Sequence, residues 1–188
     1  MTTFDLTARP PRQRAAVVAP ATRRAHLTAA ALVVALAGAL AALRPIRIGE
    51  AMLSAGLLRL MGTGADRVGT AVLVDTEGAR AGFAIASGCS TALLATPFIA
   101  VGALALATGR VRPSRTLACL GAAIGGAVLV NQLRFGVVGG AIHLFGFERG
   151  YGQSHVLIGT LVSTTGLVAG LAGFVWALGR DPRATTGD

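Results

Sequence analysis

Apolar residues run almost unbroken over 25–43, 89–108 and 155–178, and each run is close to the ~20 residues an α-helix needs to cross ~30 Å of hydrocarbon. A fourth run, 116–138, is as long but carries Asn131, Gln132 and Arg134 near its end. An ionisable group inside a span is by default a functional candidate. The pattern therefore predicts four transmembrane helices over these ranges, the third with unusual last turns. Between the first two spans, 46–61 ("IRIGEAMLSAGLLRLM") has helical composition but is too short and too charged, with Arg47, Glu50 and Arg59, to cross. It reads as a helix along the outer interface. Residues 68–85 ("VGTAVLVDTEGARAGFAI") alternate around a turn-like Asp75-Thr76-Glu77-Gly78 and read as a β-hairpin that ends at the thiol of Cys89. The expected fold class is an all-α membrane protein, a polytopic bundle of about four transmembrane helices with a small extracytoplasmic segment between the first two. One membrane domain over 25–178 is flanked by an Arg/Pro-rich tail, 1–24, and a short tail, 179–188.

Composition agrees with the pattern: of the 188 residues, 53% are hydrophobic and only 13% charged, with a mean hydropathy of +0.67. All 17 basic residues are arginine, and the net charge is +9. Nucleic acid is not the expected partner, because these arginines are dispersed between apolar runs instead of clustered on a soluble face. They orient the chain instead. Arg9, Arg12, Arg14, Arg23, Arg24, Arg110, Arg112, Arg115, Arg180 and Arg183 fall on one side of a four-span layout, and the other 7 share the opposite side with Glu50, Asp66, Asp75, Glu77 and Glu148. Both termini are expected in the cytoplasm and 44–88 and 139–154 outside, in a multi-pass protein of the cell membrane. The first run follows "ARPPRQR" and "ATRRAH" with no small-residue cleavage site directly after it, so it reads as an anchor. Glycines at i, i+4 spacing, such as Gly121/Gly125 and Gly166/Gly170, suit close helix packing.

Two cysteines are present, Cys89 in "IASGCST" and Cys119. A lipid attachment at Cys89 would need a signal-type apolar stretch before it, yet Asp66, Arg67, Asp75, Glu77 and Arg80 occupy that segment. A disulfide needs Cα atoms ~6 Å apart, and the expected topology puts the two sulfurs on opposite faces of the membrane. Metal binding lacks a Cys-x2-Cys or His-x3-His spacing, and no metal or cofactor is expected. Cys119 reads as a small buried apolar residue. Packing or nucleophilic chemistry remains for Cys89. The same layout brings Arg134 and His155 to the outer ends of the third and fourth spans, and a thiol needs a cationic neighbour to populate its thiolate at neutral pH. Asn131 shares a helix face with Arg134 at i, i+3.

A small-residue-flanked Cys89 at the head of one span, Asn131-x-x-Arg134 near the outer end of the next, and His155 opening the one after, followed by Gly159, together resemble the exosortase/archaeosortase family of integral-membrane sorting enzymes. The resemblance covers about residues 80–178. It implies a cysteine protease and transpeptidase with Cys89, Arg134 and His155 as its catalytic residues, Cys89 as nucleophile, and Ser90 and Asn131 in support, Asn131 orienting one of the cations. The family commonly reads Cys-Ser-Gly, whereas this chain has Cys89-Ser90-Thr91 with Gly88 ahead of the thiol. The implied partners are the lipid bilayer and membrane-tethered precursors with a C-terminal sorting tail, cleaved just outside the bilayer through an acyl-enzyme on Cys89. Two other classes are compatible with the residues: a small transporter or channel subunit with Arg134, Asn131 and His155 along a polar pathway, and a non-catalytic assembly or anchoring protein in which Cys89 packs.

Overall fold

In the computed structural model, which describes residues 20–76, 78–109 and 111–180, the first apolar run forms α1 (Pro20–Ala41). The tails before residue 20 and after 180, together with Glu77 and Arg110, lie outside the described residues. The chain bends at Ala42 and continues at once as α2 (Leu43–Leu60), the segment expected along the interface. Pro45 falls in the first turn of α2, where a missing N–H disturbs no helical bond. On α2 the small face Ala51, Ser54, Ala55 and Leu58 is buried, while Met52, Leu53, Leu57 and Leu60 are exposed. The helix thus has a packed side and an open apolar side.

The hairpin is present, extended by a third strand. β1 (Asp66–Val68), β2 (Ala71–Thr76) and β3 (Ala79–Ala84) form an antiparallel sheet in the order β1-β2-β3. Val72 and Val74 alternate inward and are fully buried, the period of two that a half-covered sheet imposes. β1 has three residues, too few to carry that period in the sequence. After β3 a single 3-10 turn, Ser87–Cys89, leads into α3 (Thr91–Ala107).

The largest departure from expectation is α4 (Pro113–Gln153). The third apolar run does not end near 138; the helix continues to Gly146, where φ 75° and ψ 171° break it. Only glycine adopts that conformation freely, and the reversal lets residues after 146 run back along the helix. Ser154–Gly159 then form a π-helical turn before α5 (Thr160–Gly179). The expected last span, 155–178, therefore becomes a π turn followed by an α-helix starting at 160. Three described helices are long and apolar enough to cross a membrane, at Thr22–Ala41, Pro113–Gln153 and Thr160–Gly179. α3 is a shorter apolar helix of 17 residues, at the lower limit for a crossing.

Two packed regions meet along α4. Above, α2 and the sheet close on the helix through Leu58, Val72, Val74, Phe83, Phe135, Val138 and Ile142, with Cys89 and Tyr151 at the margin. Below, Phe98, Leu120, Phe174 and Leu178 join α3, α4 and α5, and Cys119 packs there. The buried polar residues Glu50, Asn131, Gln132 and Arg134 belong to neither apolar cluster.

A candidate active site around Cys89

Cys89 is the last residue of the 3-10 turn, half-buried, where the sheet hands the chain to α3. From Cys89 to Leu94 every backbone amide has an acceptor. The amides of Cys89 and Ser90 donate to the carbonyls of Ala86 and Ser87, those of Leu93 and Leu94 both donate to Ser90 O, and the Ala92 amide reaches the Ser90 hydroxyl at 3.4 Å. Thr91 N donates to Oε1 of Glu50 at 2.5 Å, a carboxyl brought in by α2. Ser90, fully buried, therefore serves as the N-cap of α3.

α4 supplies the opposite wall. Nη2 of Arg134 donates to the Cys89 sulfur at 3.4 Å, and Arg134 itself is only 8% exposed. Nδ2 of Asn131 donates to the Cys89 carbonyl at 2.9 Å and to the Thr91 hydroxyl at 3.3 Å. Because a carbonyl can only accept, the amide orientation of Asn131 follows from the contact. Asn131 thus holds the loop that carries the thiol, and among the described residues its hydrogen bonds go to Cys89 and Thr91. Thr91 uses its hydroxyl as one of Asn131's acceptors. Beside them Gln132 accepts a hydrogen bond from Ser54 at 2.7 Å, which ties α2 to α4 at this level.

The third element is the π turn. His155, half-buried on its first residues and ahead of the Thr160–Gly179 span, has its pKa held below the usual histidine range, first by burial and then by the Arg134 charge. Its ring stacks on Tyr151, centroids 4.7 Å apart and 9° from parallel, and Tyr151 stacks in turn on Phe147 at 5.1 Å. Gly159 closes the turn against Arg134: a Cβ there would lie 2.9 Å from Nε. π turns of this kind recur where a helix must re-aim side chains.

Cys89, Arg134, Asn131 and Ser90 thus come together, and His155 lies within the field of Arg134. Over residues 14–174 the chain matches the family model described as transmembrane exosortase. The chain belongs to the transmembrane exosortase family. No curated protein and no solved structure gives a match. Membership carries the general class, a membrane sorting protease or transpeptidase. In this exosortase, Cys119 lies fifteen residues before Arg134 on one helix, ~22 Å along its axis, so it is out of reach of Cys89, and both thiols are free. No group of three His, Cys, Asp or Glu side chains that could hold a metal occurs among the described residues.

Glu50 and Tyr151 were missed as site residues. Glu50 stands four residues before Ser54 and eight before Leu58 on the small, buried face of α2, and that i, i+4, i+8 spacing was the available signal. Tyr151 stands four residues from both Phe147 and His155, a spacing that becomes meaningful only once 147–155 is known to be helical.

Proposed function

We propose that this exosortase is a cysteine protease and transpeptidase that cleaves C-terminal sorting tails of membrane-tethered precursors through a thioester on Cys89. The contact between the Arg134 guanidinium and the Cys89 sulfur is the observation that carries this reading. A cation against the sulfur stabilises the thiolate that attacks a peptide carbonyl. The tetrahedral intermediate then needs donors for its oxyanion, and every backbone amide from Cys89 to Leu94 already has an acceptor. The Arg134 fork, with several N–H groups in one plane beside the sulfur, suits that oxyanion. His155, neutral at pH 7 because its pKa is lowered, suits the proton steps: it takes the thiol proton and returns it to the leaving amine. Ser90 and Asn131 hold the loop so that the sulfur meets its partners without reorganisation.

In the same reading both termini are cytoplasmic, the single membrane domain spans 25–178, and the site faces the extracytoplasmic side of the cell membrane. The substrate bond lies just outside the precursor's own transmembrane tail, since tethering raises its effective concentration at the thiol. The test is co-expression of a candidate precursor with the parent enzyme or with Cys89→Ala: the tail is lost with the parent and kept with the variant. Equal processing by both overturns the thiol mechanism.

A further inference from the structure

Glu50 is 8% exposed and takes part in no ion pair among the described residues. One oxygen accepts from Thr91 N; the other, Oε2, is buried with no hydrogen-bond partner. A buried carboxyl left half-satisfied is costly, and the positive end of α3 offsets only part of that cost. A role in holding α3 explains Oε1 alone. Thr91 is two residues from Cys89, at most ~7 Å of chain, so the free oxygen belongs to the carboxyl that holds the segment next to the thiol.

We propose that Oε2 of Glu50 receives the amine nitrogen of a reactant bound at Cys89; the inference rests on the thiol reading above. A carboxylate accepts and never donates, which selects a hydrogen-bond donor, and its negative charge favours a basic amine, which can carry a positive charge, over an amide or a hydroxyl. The reaction presents such a nitrogen twice. As tail cleavage proceeds, the sulfur–carbon bond forms, the carbon–nitrogen bond breaks, and the thiol proton ends on the departing amine. In transfer the events reverse: an incoming amine bonds to the thioester carbon, the carbon–sulfur bond breaks, and a proton returns to sulfur. Both nitrogens pass through the same place relative to Cys89. Glu50 orients them and is neither consumed nor changed.

Thiol chemistry tests this without a peptide substrate. In the full chain carrying Cys119→Ala, the rate of Cys89 modification by cationic aminoethyl methanethiosulfonate is compared with that by neutral methyl methanethiosulfonate. Glu50→Gln keeps an acceptor oxygen for Thr91 N and turns the free oxygen into a donor. The expected result is a cationic-to-neutral rate ratio about tenfold lower, the size of a charge-assisted hydrogen bond, with the neutral rate unchanged. An unchanged ratio, including an equal loss for both reagents, means that Glu50 only holds α3 and overturns the proposal. With a precursor that the parent processes, slower tail release by Glu50→Gln assigns the contact to the departing amine. Normal release with a lower yield of transfer to added amine, relative to hydrolysis, assigns it to the incoming one. If the parent processes no precursor, the sorting reading fails while the reagent ratio still decides the place of Glu50.

Discussion

Gly159 packs directly against the guanidinium of Arg134, so that a Cβ on residue 159 would lie 2.9 Å from Nε and 3.6 Å from Nη2. Displacing the fork by a fraction of an ångström moves the group that touches the Cys89 sulfur. Gly159→Ala is expected to lower tail processing on the order of 10²-fold, the cost of a small misplacement at a reacting centre. Gly152→Ala, at a helical glycine whose Cβ would meet nothing within 4 Å, should process normally. Comparing the two variants at equal membrane abundance checks the contact.

Arg134→Lys keeps the charge and loses the planar fork. If two guanidinium donors share the sulfur and the oxyanion, lysine should fail nearly as badly as alanine, with losses of about 10²–10³ in turnover. Recovery of most activity by lysine would reduce the role of Arg134 to that of a point charge.

In the proposed mechanism the ring of His155 accepts the thiol proton only while neutral, so its lowered pKa should set the acid limb of activity. Its folded pKa lies below the ordinary 6.5, so activity should persist as pH falls through 6.5 and disappear only below it. The profile of kcat/KM against pH reads this directly, and a limb above 6.5 contradicts it. His155→Gln should be severely impaired across the range, since glutamine cannot carry the proton. His143→Gln should be mild, because that ring binds the Asp75 carbonyl and braces α4 against the sheet.

Asn131→Leu removes two hydrogen bonds at once, to the Cys89 carbonyl and the Thr91 hydroxyl. Leaving buried acceptors unmatched costs ~1–3 kcal/mol. A fall in thermal stability together with slower processing is expected, and a variant that matches the parent in both would remove Asn131 from the site.

Membrane-impermeant maleimide applied to intact cells checks the topology. Cys89 in a Cys119→Ala background should label, while Cys119 in a Cys89→Ala background should not, being packed with Phe98, Leu120, Phe174 and Leu178 toward the other end of α4. The reverse pattern overturns the outer location of the thiol.

The turn and strands after α2 were legible because Asp75-Thr76-Glu77-Gly78 lies between two alternating runs; the three-residue β1 was not, because a period of two needs more residues to appear. The helix runs on past 138, where the expected span ends, for a physical reason as well. Ile142 continues beyond that span the apolar face of Phe135 and Val138, and the sheet and α2, folded over it, bury that face.

Sequence by itself determined that apolar helices of span length would form, that they would carry one thiol, one guanidinium and one imidazole near corresponding ends, and that Cys89 and Cys119 would be kept apart. These follow from hydropathy, charge and the fixed rise of a helix, all local quantities. Tertiary structure alone decided that Asn131 would reach the Cys89 carbonyl 42 residues away, that Glu50 on a separate helix would take the Thr91 amide, and that a break at Gly146 would turn the chain back and aim His155 toward Arg134. Hydrogen bonds and electrostatic fields of that kind depend on distances between elements remote in the chain, and no periodicity within either element encodes them.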